Sequence, residues 1–68
     1  MSKEQIKAAI SYANLSQAAV ADRLNVTRQA FTQKNSRETW TQSELEEIAG
    51  AIGAKYVSKF VFPDGMEI

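Results

Sequence analysis

The side chains best suited to specific chemistry lie together in residues 27–37. Every residue of this segment except Ala30 and Phe31 carries a hydrogen-bonding side chain. Arginine donates in a planar fork, and glutamine offers a donor beside an acceptor, so both can form paired hydrogen bonds with a flat polar group. The segment is therefore either a solvated helix or a surface that recognises polar groups. Its polar members are Thr27, Arg28, Gln29, Thr32, Gln33, Lys34, Asn35, Ser36 and Arg37.

Residue types argue against catalysis. The chain has no cysteine and no histidine, which removes the thiolate nucleophile, the commonest general base and the usual zinc ligands. Most of its carboxylates fall where a helix start would explain them. We therefore expect no enzyme activity, no metal site and no cofactor.

Size and composition predict one small globular domain over residues 1–68. A chain of 68 residues buries only about 60% of its unfolded surface, so each core residue matters. Its apolar runs are too short to span a membrane, and its first residues lack the apolar core of a signal peptide. A cytoplasmic protein without membrane association is the expectation.

Charge is balanced in total but segregated along the chain. The formal net charge is +0, which argues against indiscriminate nucleic-acid binding. Charges act over only about 8 to 10 Å in physiological salt, so a neutral chain can still present a basic face. Residues 23–37 hold four bases and no acid, and residues 38–52 hold four acids and no base: Arg23, Arg28, Lys34 and Arg37, then Glu38, Glu44, Glu46 and Glu47.

Apolar spacing and capping residues predict four helices. The first covers residues 3–13 after a Ser2 cap, and the second covers residues 17–24 after Ser16. The third runs from 28 to about 35 after Thr27, and the fourth begins at a capping box formed by Thr41 and Glu44. Asn14 and Asn25 suit the left-handed turns between helices, and Gly53 ends the fourth helix.

Several packing expectations accompany this outline. Val26, Ala30 and Phe31 are expected to face the core, and residues 35–39 to form a polar loop that ends at a partly buried Trp40.

The C-terminal residues 55–68 change to a period of two, which predicts a strand. Its one side would hold Tyr56, Ser58, Phe60 and Phe62, and its other side Val57, Lys59 and Val61. A turn at residues 63–65 and a short return strand at residues 66–68 would complete a hairpin.

Two short helices joined by a tight turn, the second rich in hydrogen-bonding groups, form a helix-turn-helix pattern over about residues 17–35. The segment LSQAAVADRLNVTRQAFTQK, residues 15–34, resembles the helix-turn-helix of the phage Cro and repressor (XRE-type) transcriptional regulators. ELEEIAGAIGA, residues 44–54, is similar to the fourth helix of that family, and FVFPDGMEI resembles the ending of its small members. The chain departs from the family in having Asn25 where glycine is usual and no apolar residue near the end of the third helix.

The resemblance implies a mostly α, lambda-repressor-like domain of four to five helices with a short C-terminal strand or hairpin. It also implies a regulator that binds double-stranded DNA in the major groove. Carried over by position, the base contacts would be Thr27, Arg28, Gln29, Thr32 and Gln33, and the phosphate contacts would be Gln17, Lys34, Ser36 and Arg37.

Two questions about partners stay open at this stage. A single small domain offers limited contact with DNA, so a homodimer on a palindromic operator is expected, paired through the C-terminal strand. A hairpin that packs only on its own helices is the other possibility. The competing function is a helical protein-interaction module, of antitoxin or anti-repressor type, that has the fold without specific DNA binding. The residues expected at the dimer contact are Tyr56, Val57, Phe60, Val61 and Phe62.

Overall fold

The fold consists of four helices followed by a short antiparallel hairpin, as the computed structural model of residues 2–68 describes it. This arrangement confirms the expected mostly α class with a C-terminal hairpin. The elements are α1 (Lys3–Tyr12), α2 (Gln17–Arg23), α3 (Arg28–Arg37), α4 (Gln42–Ala51), β1 (Lys55–Tyr56) and β2 (Phe60–Val61).

A serine or threonine side chain caps the start of each helix, as the sequence predicts. The hydroxyl oxygens of Ser2, Ser16, Thr27 and Thr41 each accept a hydrogen bond from a backbone N–H in the first turn, at 3.1 to 3.2 Å. These bonds satisfy N–H groups that have no partner within the helix. The cap of α4 is the predicted capping box, in which the Glu44 side chain also accepts from the Thr41 N–H at 2.9 Å.

Left-handed residues close the connections between helices. Asn14 and Asn25 both have a φ of 59°, which confirms the turns predicted at asparagine. Glu38 also lies in this region, at φ 53°, and ends α3. Its carboxylate accepts a hydrogen bond of 2.8 Å from the backbone N–H of Lys3, so this strained residue ties the end of α3 to the start of α1.

One apolar cluster joins all four helices and the hairpin. Ile6, Val20, Phe31, Ile48 and Phe60 are each no more than 1% exposed and come from five different elements. A core that draws on every element explains how so short a chain forms a single packed unit.

The third helix is longer than predicted. It continues through residues 35–37, which the sequence assigns to a polar loop, and ends at Arg37. In this extension Asn35 is 7% exposed and accepts a hydrogen bond of 3.3 Å from the indole Nε1 of Trp40, and the left-handed Glu38 then ends the helix. The Trp40 ring also packs on Phe31 with their centroids 5.1 Å apart. Asn35 and Trp40 thus together occupy the place where an apolar residue was expected.

Two residues expected in the core are exposed. Val26 is 43% exposed, and Ala30 is also on the surface. Phe31 alone anchors the first half of α3, because Ala30 lies on a different side of the helix. The prediction that Val26 and Ala30 face inward was therefore wrong.

The C-terminal strand is broken where the sequence predicts continuous alternation. Ser58 has a φ of 68° and lies in the turn between β1 and β2, so residues 56–62 do not form one strand. The register pairs Lys55 with Val61 and Tyr56 with Phe60. On its other side β2 meets the chain end through a bridge between Val61 and Glu67, which confirms the predicted short return.

Candidate functional site

The exposed face of α3 is a row of polar side chains opposite its core side. Gln29, Gln33 and Ser36 follow each other at spacings of four and three residues, so they share one side of the helix. Phe31 and Asn35 occupy the buried side. Two of the predicted base contacts, Gln29 and Gln33, lie in this row, whereas Arg28 and Thr32 share a neighbouring side of α3. All five predicted base contacts are exposed: Thr27, Arg28, Gln29, Thr32 and Gln33.

The N-terminal end of α3 is held by the turn from α2. The backbone N–H of Val26 donates to the carbonyl oxygen of Ala21 at 3.1 Å, and Asn25 supplies the left-handed turn. Thr27 uses its hydroxyl oxygen to cap α3, so that oxygen is already engaged by the N–H of Ala30. Arg28 and Gln29 follow immediately, and both are exposed in the first turn of α3.

Lys34 lies apart from this polar row. Its ammonium group forms an ion pair with the Glu44 carboxylate and lies 5.7 Å from the centre of the Trp40 ring. The side chain therefore links α3 to α4. Of the predicted phosphate contacts, Lys34 is thus the one with an acidic partner among residues 2–68.

A polar groove runs between α1, the start of α2 and α3. Its volume is about 270 Å³, and two predicted phosphate contacts, Gln17 and Ser36, line it together with Thr32. The sequence prediction missed two further cations in the same groove, Lys3 and Lys7 of α1. Their spacing of four residues was the available signal, because it places both ammonium groups on one side of a helix. We call this feature the polar groove.

Intramolecular contacts sort the basic side chains into two groups. Lys34 pairs with Glu44, Lys59 pairs with Glu67 at 2.5 Å, and Arg23 donates to the backbone oxygen of Ala51 at 2.6 Å. Within residues 2–68, the remaining cations form no ion pair with an acidic side chain. Apart from Lys55 in β1, these cations are Lys3, Lys7, Arg28 and Arg37, and all four belong to α1 and α3.

An apolar groove of about 280 Å³ lies on the other flank of α3, against α4. The exposed Val26 and Ala30 line it together with the partly buried Leu24 and Trp40. The ion pair of Lys34 and Glu44 also lines this groove. The unexpected exposure of Val26 and Ala30 is thus concentrated in one place, which we call the apolar groove.

The residues predicted to form a dimer contact are divided by the structure. Phe60 and Phe62 are 0% and 7% exposed and belong to the core of their own chain. Val57 is 48% exposed, and Tyr56 and Val61 are partly exposed. The backbone of Phe60 exchanges two hydrogen bonds with that of Ile68, at 2.7 and 2.8 Å, so β2 is not a free edge. The residues left accessible for a second copy are Tyr56, Val57 and Val61.

Metal-binding clusters and membrane-spanning helices are both absent from residues 2–68. No group of three or more acidic, histidine or cysteine side chains in this range is arranged to hold a metal ion. None of its helices has the length and apolar character that crossing a bilayer requires.

Comparisons with known proteins do not place the chain in a family. No protein-family model, no curated protein and no solved structure matches it.

Proposed function

We propose that this protein is a sequence-specific regulator of transcription that binds double-stranded DNA, with α3 in the major groove. The observation that carries the proposal is the exposed polar row of α3, Gln29, Gln33 and Ser36, with Arg28 at the start of the same helix. A major groove about 12 Å wide admits one α-helix. Arginine pairs with guanine and glutamine with adenine through two hydrogen bonds each, so these residue types suit base recognition.

The distribution of charge supports the same surface. Four of the five cations on α1 and α3, Lys3, Lys7, Arg28 and Arg37, have no acidic partner among the described residues. Of the cations elsewhere, Arg23 and Lys59 are engaged. The α4 carboxylates Glu46 and Glu47 are also exposed, but α4 contributes none of the residues that line the polar groove. A chain of zero net charge therefore has a locally basic side on which phosphates would be attracted.

Two-fold assembly would extend this contact. A single module buries about 600 to 1,000 Å² against DNA, so pairing of two copies on half-sites about one helical turn apart would strengthen binding and make the operator palindromic. The accessible residues of the C-terminal hairpin, Tyr56, Val57 and Val61, are the proposed contact between copies. Sedimentation of the purified protein with and without DNA tests this arrangement.

The decisive experiment is selection of bound duplexes from a random pool, followed by affinity measurements. A single enriched motif is expected, and Gln29→Ala should weaken binding to it by about 1 to 3 kcal/mol, roughly 5- to 150-fold, with little effect on random DNA. Gln42→Ala is the matched control, because Gln42 is another exposed glutamine at a helix start, on α4. Equal losses of Gln29→Ala on selected and random DNA would refute base reading.

A protein-interaction module is the second candidate, and the apolar groove is the observation that favours it. Val26, Ala30 and Trp40 form a concave apolar surface beside α3, of the kind that commonly receives a partner side chain. Retention on random duplex DNA at low salt separates the two candidates. Complete absence of DNA binding would favour the interaction module.

A further inference from the structure

The polar groove between α1, α2 and α3 has the shape and composition of a site for an anionic chain. Lys3 and Lys7 stand four residues apart on α1, and Thr32 and Ser36 stand four residues apart on α3. Two ammonium groups on one wall therefore face two hydroxyl groups on the other. Gln17, at the first turn of α2, adds an amide. All of these groups can donate hydrogen bonds to phosphate oxygens.

We propose that this groove binds the phosphodiester backbone of one DNA strand, and that Lys3 and Lys7 of α1 each contact a phosphate. The inference rests on the proposed function, because Thr32 and Ser36 belong both to the groove and to the exposed surface of α3. A strand that borders the major groove beside α3 would thus enter the polar groove directly. Residues four apart on a helix are about 6 Å apart along its axis, which is close to the distance between neighbouring phosphates of one DNA strand.

The position of Lys3 is a separate observation in favour of binding. Lys3 is the first residue of α1, where the helix dipole disfavours a positive charge. Its backbone N–H is already engaged by Glu38, but its ammonium group has no acidic partner in residues 2–68. A bound phosphate would supply a partner for this ammonium group.

Glu4 is the one acidic residue that lines the groove. It suits the positive end of the α1 dipole, but it opposes a bound phosphate. Substitutions in the groove should therefore be able either to weaken or to strengthen DNA binding. Removal of Lys3 and Lys7 should weaken DNA binding, and Glu4→Gln should strengthen it by a few-fold.

The test is the salt dependence of binding, measured by fluorescence anisotropy with the full chain and the selected duplex. The logarithm of the binding constant falls linearly with the logarithm of the salt concentration, and each lost phosphate contact makes this slope shallower by about 0.9. The double variant Lys3→Gln/Lys7→Gln should therefore have a slope smaller in magnitude by about 1.8 than that of the unaltered protein. Lys3→Arg/Lys7→Arg keeps both charges and should retain the slope. The single variant Lys7→Gln should make the slope shallower by about 0.9. Lys55→Gln is its matched control, because it removes one charge from β1, outside the groove, and should leave the slope unchanged.

The outcomes distinguish this inference from the proposed function. Failure of the unaltered protein to bind any duplex would overturn both. DNA binding with an unchanged slope in Lys3→Gln/Lys7→Gln, or an equal loss in Lys55→Gln, would overturn only the inference. Titration with inorganic phosphate, followed by NMR shifts of α1, separates a backbone groove from a free-anion site. Weak, unsaturated shifts are expected, whereas saturable binding of inorganic phosphate that the double variant lacks would overturn the backbone assignment.

Discussion

The hydrogen bond between the side chains of Asn35 and Trp40 should contribute measurably to the free energy of unfolding. Asn35 is 7% exposed and its Oδ1 accepts from the Trp40 Nε1 at 3.3 Å. Asn35→Ala removes the acceptor and leaves the indole N–H without its partner. The substitution tests how much this bond contributes to the stability of the fold.

The expected magnitude follows from two opposing effects. An unsatisfied buried donor costs about 1 to 3 kcal/mol, and the partial exposure of Trp40 places this case near the lower limit because water can reach the ring. Alanine has a higher helix propensity than asparagine, which returns up to about 0.7 kcal/mol. Asn35→Ala should therefore lower the free energy of unfolding by about 0.3 to 1 kcal/mol, equivalent to a fall in Tm of about 1 to 8 °C for a domain of this size.

The control is Ser36→Ala, which makes a similar change in helix propensity at the next, exposed position. It should leave stability unchanged or raise it by a few tenths of a kcal/mol. Urea unfolding followed by circular dichroism measures both variants. A double-mutant cycle combines Asn35→Ala with Trp40→Phe, which removes the indole N–H together with part of the ring. The cycle cancels the packing that each single variant loses alone, and it should give a coupling energy of about 1 kcal/mol. Coupling below about 0.3 kcal/mol would refute the reasoning.

Two further predictions concern the pH dependence of stability and the turn between α2 and α3. The hydrogen bond from the Tyr12 hydroxyl lowers the pKa of Asp64 from its ordinary 3.8 and raises the pKa of Tyr12 above 10.0. The stabilisation through Asp64 is therefore present above pH 3.8 and lost as the pH falls through the lowered pKa, and that through Tyr12 is present below pH 10.0 and lost as the pH rises through the raised pKa. Tyr12→Phe should flatten both limbs of a Tm-against-pH curve, and limbs as steep as before would contradict this. Asn25→Ala, at a φ of 59°, should destabilise the protein by about 1 to 2 kcal/mol in urea unfolding, whereas Asn25→Gly should be nearly neutral; equal stability of the two variants would show that the turn does not require a left-handed residue.

Local signals account for the parts of the fold that the sequence predicts. The four capping residues and the two asparagine turns act within three or four residues of their own positions, so the sequence alone predicts them. Ser58 is the counterexample in the tail. Serine has no strong preference for a positive φ, and its turn depends on the hydrogen bond of 2.8 Å from Val57 N–H to the Lys59 carbonyl and on pairing of the flanking strands.

Residues whose partners lie farther along the chain were the ones predicted wrongly. The burial of Asn35 depends on Trp40, whose indole N–H donates a hydrogen bond to the Asn35 amide oxygen and whose ring shields it from solvent. Apolar type alone placed Val26 and Ala30 inside, whereas the core around α3 is filled by Phe31 and covered by Trp40. Side-chain type predicts a preference for burial, but in a core this small the large rings of Phe31 and Trp40 fill the space beside α3, and smaller apolar side chains remain outside.

The predicted site residues show the same dependence on distant partners. Sequence alone treats Arg23, Lys34 and Arg37 as equivalent members of one basic segment. In the fold Arg23 binds the end of α4 and Lys34 pairs with Glu44, so only Arg37 of these three keeps a side chain without such a contact among the described residues. Two cations of α1, Lys3 and Lys7, lie beside α3 instead, because tertiary packing brings α1 against α3 at the polar groove. The balance between the two functions proposed for this chain thus depends on where its cations lack acidic partners. With a net charge of +0, a phosphate-binding face requires that most of the acids be paired or lie on other surfaces, and Glu4 is the one acid that lines the polar groove.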